Sequence, residues 1–268
     1  MVKKILAKTY IYFILFMMYL PMFVLIIFSF TTSTDIGTWS GFSFELYGKL
    51  FQNAEIMQAL GNTLLVAVSS AVVSTVLGTL GAIGTFYSKR RSQKVIESMN
   101  RIPVINAEIV MALSLAVLFV ALGCLGNFFT LLVGHVVLTV AFVYLSVKPK
   151  LTQMDPNTYE AALDLGASPN VALRKVIIPE IMPGIVSGFM LALTLSLDDF
   201  IITLFLRDNS FETLSTYVQG VIARSAIPAE LRALTTVVVL FAILLLVLNN
   251  LKSKKERKKK HRVDGARR

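Results

Sequence analysis

Six stretches of this chain each hold about twenty predominantly apolar residues, the length that crosses a hydrocarbon core about 30 Å thick. They run roughly over 9–30, 61–87, 104–123, 127–147, 182–206 and 232–251. Hydrocarbon offers no partner to a bare backbone N–H or C=O, so runs of this kind fold as helices. The expected fold is therefore all-α, a polytopic membrane protein with six transmembrane helices. Only 16% of residues are charged, against about a quarter in an ordinary soluble domain. The second run, "GNTLLVAVSSAVVSTVLGTLGAIG", is rich in Gly, Ala, Ser and Thr. Those residues let membrane helices approach closely, so it is expected inside a bundle.

Basic residues give the orientation. Lys3, Lys4 and Lys8, the segment "SKRRSQK", Lys148, Lys150, Arg174, Lys175 and the tail "KSKKERKKKHRVDGARR" all fall on one side of a six-span path. The other side holds only Lys49, Arg207, Arg224 and Arg232. The positive-inside rule then places both termini in the cytoplasm. The first run is longer than the roughly 7–15 residues of a secretion-signal core and no A-x-A site follows, so it reads as a retained span. The chain divides into an N-terminal span and outer loop (1–60), a five-span core (61–251) with a cytoplasmic loop at 154–181, and a basic tail (252–268). The tail follows a span directly and has no interleaved aromatics. It reads as an anchor on anionic membrane lipid, not as a nucleic-acid-binding segment. Trp39 and Tyr47 in the outer loop read as interface or packing residues.

No catalytic constellation is present. The phosphate-cradling pattern G-x-x-x-x-G-K-[ST] is missing, and Gly48-Lys49-Leu50 is only a fragment of it. No H-E-x-x-H occurs, and His135 and His261 lie far apart, so no metal site is expected. His135 reads as a packed or hydrogen-bonded residue within a span. The single cysteine, Cys124, reads as a small packed residue and excludes an intrachain disulfide. The chain reads as a non-enzyme that binds no cofactor. If it works with ATP and Mg, another polypeptide binds them.

The loop "MDPNTYEAALDLGASPNVALRKVIIPEIMPG", Met154 to Gly184, carries the clearest local chemistry. Asp155 is placed to cap a helix with Pro156 at its first position, and Gly166 to end it in the left-handed conformation. Ser168 and Pro169 repeat the start signal, and Pro179 and Pro183 are expected to break the chain before the fifth span. Glu160-Ala161-Ala162, three residues, Gly166, nine residues and then Val176-x-Ile178-Pro179 resembles the loop motif of bacterial ABC-importer permeases, EAA-x3-G-x9-I-x-L-P. Val176 and Ile178 depart from it but stay apolar. The resemblance implies a type I ABC-importer permease fold. It also implies that Glu160, Ala161, Ala162, Gly166 and Pro179 belong to a coupling loop that docks on a separate ATPase dimer.

Within that family, "IPVINAEIVMALSL" and "LSLDDFIIT" are similar to permeases of spermidine/putrescine importers, of the C-type. The resemblance implies a B-type permease as heterodimer partner, an extracytoplasmic polyamine-binding protein, and a bacterial inner-membrane location. Three acids support a cationic ligand on physical grounds. Glu108, Asp198 and Asp199 sit within expected spans, where an unpaired carboxylate costs several kcal/mol, and no Lys or Arg lies deep in a span to neutralise them. Asp198 is expected in the outer half of span five and Glu108 near the cytoplasmic start of span three, acting at different depths. Adjacent helix positions point about 100° apart, so Asp198 and Asp199 are not both aimed at one ligand. At least one aspartate lining the path, and both serving the heterodimer interface or a helix break, remain alternatives. Phe200 and Tyr217 read as packing residues that also offer aromatic faces to an ammonium group. Permeases for ferric iron, thiamine and similar ligands share the loop motif. An ion-coupled secondary transporter is the rival from another class, and it has no use for a docking helix.

Overall fold

The computed structural model describes residues 2–33, 37–155, 157–224 and 228–240. It forms two compact units, Met1–Met57 with Val221–Arg268, and Gln58–Gly220. In the first unit lie α1 (Val2–Phe28), α2 (Glu45–Gln52) and a helical stretch over 230–240. The apolar window of α1 is 0% buried, as suits a helix whose sides face hydrocarbon. The segment between α1 and α2 is pinned by an aromatic cluster. Phe30 stacks on Phe42 at 5.5 Å and meets Phe44 and Tyr47, and the Tyr47 hydroxyl bonds Ser29 Oγ at 2.8 Å. Trp39 sets its edge against Phe28 but stays about half exposed.

The second unit carries most of α3 (Ala54–Phe86), then α4 (Arg90–Ile105), α5 (Glu108–Ala121), α6 (Phe128–Gln153), α7 (Asn157–Asp164) and α8 (Pro169–Ala172). A π-helical turn (Leu173–Ile177) leads into α9 (Ile178–Asp198), α10 (Ile201–Leu206) and most of α11 (Leu214–Arg224). Helix α6 is the central post. It starts on a capping box in which Asn127 and Thr130 satisfy each other's backbone N–H. Its buried face meets α3 and α9 through Ala71, Ala82, Val143, Val147, Ile181 and Ala192. Toward its start it meets α3, α5 and α10 through Val66, Ala112, Leu131, Leu138, Ile202 and Leu206.

Small residues set these distances. A Cβ on Gly78 of α3 would lie 2.8 Å from Val143 Cβ, and one on Gly188 of α9 would lie 3.1 Å from Val143 Cγ1. Both helices therefore reach the same α6 residue only because those positions lack side chains. The expectation that the small-residue run packs inside a bundle holds for Gly78, Ala71 and Ala82.

Two of the expected spans differ in kind. The third is not a single rod over 104–123. Helices α4 and α5 meet at 103° across Asn106-Ala107, and α5 alone covers only about 21 Å. Its polar forerunner "SKRRSQKVIESMNR" is an amphipathic helix held to α6 by Lys148–Glu97 (2.5 Å) and by Asn100 Nδ2 donating to Ala141 O (3.3 Å). The fifth run is broken after Asp198. Four helices, or five with the bent pair as one span, are long and apolar enough to cross a membrane among the described residues. The expected sixth span, 232–251, is helical as far as 240; its remainder and the basic tail 252–268 lie outside the described residues.

Pro179 and Pro183 do not break the chain. Pro179 occupies the first turn of α9, where its missing N–H is no loss, and Pro183 is carried within the helix. The π turn just before absorbs the register change, with the Ile178 N–H bonding Leu173 O five residues back.

The packing at Gly78 yields a test. G78A should lower the unfolding midpoint in detergent, costing about 1–3 kcal/mol through overpacking on Val143. G84A, where a Cβ meets nothing within 4 Å, should leave the midpoint unchanged or raise it slightly. Equal behaviour of the two variants would contradict this account of the α3–α6 approach.

Candidate functional site

Helix α9 ends at Asp198 because Asp199 leaves the helical region (φ −65°, ψ 129°), and Phe200 turns the chain into α10. A break between two apolar helices leaves backbone donors that need partners within the protein. Aspartate repairs it, since its short carboxylate reaches back to nearby backbone N–H groups. Asp199 Oδ1 accepts from Ile202 N at 3.1 Å and Oδ2 from Thr203 N at 2.8 Å. The Leu204 N–H finds Phe200 O at 2.9 Å, and Ser215 Oγ donates to Asp199 O at 2.7 Å. Every group at the break named here is satisfied.

The Asp199 side chain is buried and further anchored. Thr203 Oγ1 donates to Oδ2 at 2.8 Å, and His135 Nε2 of α6 lies 3.4 Å from the same oxygen. The imidazole is also buried. Its Nε2 is 3.0 Å from Thr203 Oγ1 and its Nδ1 is 2.7 Å from Ser196 Oγ, which accepts from Ser70 Oγ of α3 at 2.9 Å.

The three acids come together. Glu108 opens α5, half-buried, and is electrostatically coupled to Asp199 and, less strongly, to Asp198. The expectation that the acids act at different depths does not include this coupling, which joins Glu108 to both aspartates. Folding α4 back by 103° starts α5 at Glu108, beside the break, instead of one turn into a long rod. Asp198 is exposed, while its neighbour Asp199 is consumed by the cap. Among the described residues, the basic group within ion-pairing distance of any of the three is His135, and its contact is with Asp199. Such a cluster gains strongly from an arriving cation.

The loop residues form a second, separate surface. Asp155 Oδ1 accepts from Asn157 N at 2.9 Å, starting α7 as expected; Pro156 lies outside the described residues. Gly166 (φ +85°) ends α7 in a Schellman turn, with Ala167 N bonding Ala162 O at 3.1 Å and Gly166 N bonding Leu163 O at 2.9 Å. Ser168 stands at the cap position of α8 without a side-chain bond. Glu160 and Ala161 are exposed, and Leu165 is 89% exposed, a large cost for an aliphatic side chain with no cover. A groove of about 410 Å³ runs beside them, lined by Thr158, Ala161, Ala162, Leu165 and Val176. Tyr159 anchors the helix by packing on Tyr87 of the α3 end at 5.2 Å. Pro179 is exposed but belongs to α9, not to the loop.

Phe200 is half-buried and Tyr217 buried. Sequence reading missed the partners of His135, namely Ser196, Asp199 and Thr203, because they lie more than sixty positions away. It also missed the meeting of Glu108 with the aspartates. The signal was present as "NRIPVINAE", where a polar helix face gives way to Pro103 and Asn106 just before the acid.

Comparison with known proteins agrees over most of the chain. Residues 74–253 match the family model described as "Binding-protein-dependent transport system inner membrane component". The chain is 35% identical over 221 residues to the spermidine/putrescine transport system permease protein PotC of Escherichia coli (strain K12), covering 82% of this chain and 83% of that protein. It is 33% identical over 228 residues to the putrescine transport system permease protein PotI of the same strain, covering 82% and 81%. Among solved structures, a chain of a bacterial ABC transporter involved in the import of the acidic polysaccharide alginate superposes with a TM-score of 0.71 at 18% identity, covering 94% of this chain and 96% of that one. That likeness speaks for the fold alone.

The capping geometry separates the two aspartates experimentally. D199A should destabilise the protein in detergent by about 2 kcal/mol or more, since it removes a cap and strands buried donors. D198A should leave the midpoint unchanged or raise it, because it removes only a like charge near Glu108. A larger loss in D198A than in D199A would contradict this assignment.

Proposed function

The chain belongs to the binding-protein-dependent transport system inner membrane component family, and on that premise we propose that it is one membrane half of an ATP-driven importer of polyamines such as spermidine and putrescine. The observation that carries the substrate reading is the gathering of Glu108, Asp198 and Asp199 at one helix break. A polyamine is a flexible chain of protonated amines, and carboxylates in low-dielectric surroundings complement it. Residual hydration and the modest number of charges keep binding weak enough for release. Asp198 and Glu108 take the amines, and Asp199 holds the break that presents them. The names of the two Escherichia coli relatives support the same ligand class.

The 154–181 region supplies the coupling surface. Glu160, Ala161 and Ala162 on α7, the Gly166 turn, exposed Leu165 and the adjoining groove suit insertion into a separate ATPase, which carries the ATP and Mg; Pro179 fixes the start of α9 behind them. A second, homologous permease completes the path as heterodimer partner, and an extracytoplasmic binding protein delivers the ligand. The apolar runs and the basic-residue distribution support six spans with both termini cytoplasmic, and the family supports a bacterial inner membrane. The tail 252–268 rests on anionic lipid. ATP hydrolysis moves the coupling helix, and the path alternates between outward and inward access.

Two variants test the two halves of this reading in the reconstituted assembly. D198N should lower radiolabelled spermidine uptake about tenfold or more, as expected for losing one charged contact to the cation. Wild-type uptake by D198N would remove the cation-site assignment. G166V forces a β-branched residue to φ +85° and should uncouple, with ATP hydrolysis persisting while uptake falls. Unchanged ATP-driven uptake in G166V would remove the coupling assignment.

A further inference from the structure

The imidazole of His135 touches both sides of the broken span. Its Nδ1 meets Ser196 on α9, before the break, and its Nε2 meets Thr203 on α10, after it. One order of donors satisfies the bonds around it. Ser70 Oγ–H, shared with Ala67 O of its own helix, donates to Ser196 Oγ, which leaves the Ser196 proton for His135 Nδ1. The Thr203 proton goes to Asp199 Oδ2, so its oxygen is free to accept from Nε2–H. A neutral imidazole with its proton on Nε2 satisfies every one of these bonds. The chain of bonds thus runs from α3 through α9 and α6 to α10 and ends on the carboxylate that lies beside Glu108. Behind it, Thr139 Oγ1 donates to His135 O at 2.7 Å and meets Ser74 Oγ of α3 at 2.6 Å, so the backbone that carries the imidazole is itself tied down. A hydrophobic residue of the same size would fill the space but hold neither half of the break.

We propose that His135 is the positioning residue of the acidic site: it bolts α6 to both halves of the broken span, keeps Asp199 turned into its cap, and so fixes the spacing of Asp198 and Glu108 for a ligand with amines a few methylenes apart. This rests on the reading of those acids as the cation site. His135 itself touches no ligand. It acts through Asp199, whose two oxygens already hold Ile202 N, Thr203 N and Thr203 Oγ1. Loosening the imidazole removes one of the groups that hold that carboxylate and unties α6 from the two halves of the break, and the misplacement is felt in ligand fit before turnover.

The test measures spermidine uptake against concentration in proteoliposomes holding the complete transporter. H135F should raise KM about tenfold while the saturating rate stays within about twofold. H135Q, whose amide still donates toward Thr203, should recover part of the loss. A wild-type KM in H135F, or a fall in saturating rate with KM unchanged, would overturn the assignment. T203V removes the α10 end of the same bridge and keeps the backbone cap. It should shift KM in the same direction, and a wild-type KM there overturns the assignment even where H135F does not assemble. D198N measured alongside separates the two claims. Impaired D198N with wild-type KM in H135F removes only the role of His135. Wild-type D198N removes the cation site, and this proposal with it.

Discussion

The structure around the acids depends on one repair. A helix that stops among apolar neighbours leaves donors with no water to bond, at a cost of several kcal/mol each. Asp199 supplies its two oxygens to the N–H groups of Ile202 and Thr203 in the first turn of α10, and Ser215 covers the Asp199 carbonyl. With those groups satisfied, the break becomes a stable feature. The chain direction changes, and the residue just before the turn, Asp198, is left exposed at the end of α9.

The surrounding helices are arranged to hold that point. Helix α6 runs beside α3, α9 and α10 at distances set by glycines. A Cβ on Gly134 would lie 2.7 Å from Ile202, and one on Gly184 would lie 2.8 Å from Lys150. Close approach brings His135, Ser70, Ser196 and Thr203 into one buried polar chain, which a looser bundle would leave unpaired. The bend between α4 and α5 then delivers Glu108 to the same place. Small-residue packing and polar bonding serve one outcome, an acidic cluster whose charge is not cancelled from within the described chain.

The amino-acid sequence made much of this legible. Long apolar runs announced the helices, and the spacing of Glu160-Ala161-Ala162 to Gly166 announced the loop with its left-handed turn, because propensity and capping act over a few residues. The presence of three acids within apolar runs was equally plain. Their convergence was not, since it depends on the 103° bend after Ile105, a tertiary event that hydropathy does not encode. Hydropathy also joined α9 and α10 into one span, because Asp199 and Phe200 interrupt the helix without interrupting the apolar run. The prolines misled in the opposite sense: Pro179 and Pro183 look like breakers, yet one sits in a first turn and the other follows a π turn that takes up the register. His135 was read as a packed or hydrogen-bonded residue, and its three polar partners came from elements up to 68 positions away.

The central claim is that a polyamine amine sits between Asp198 and Glu108 while Asp199 stays in its cap. The most direct measurement is a cryo-electron-microscopy structure of the complete transporter trapped with spermidine in the membrane cavity. The account predicts density for one amine within about 3 Å of both carboxylates, with Asp199 still bonded to the N–H groups of Ile202 and Thr203. Ligand density elsewhere in the cavity, with Asp198 and Glu108 bonded only to a neighbouring subunit, would contradict it.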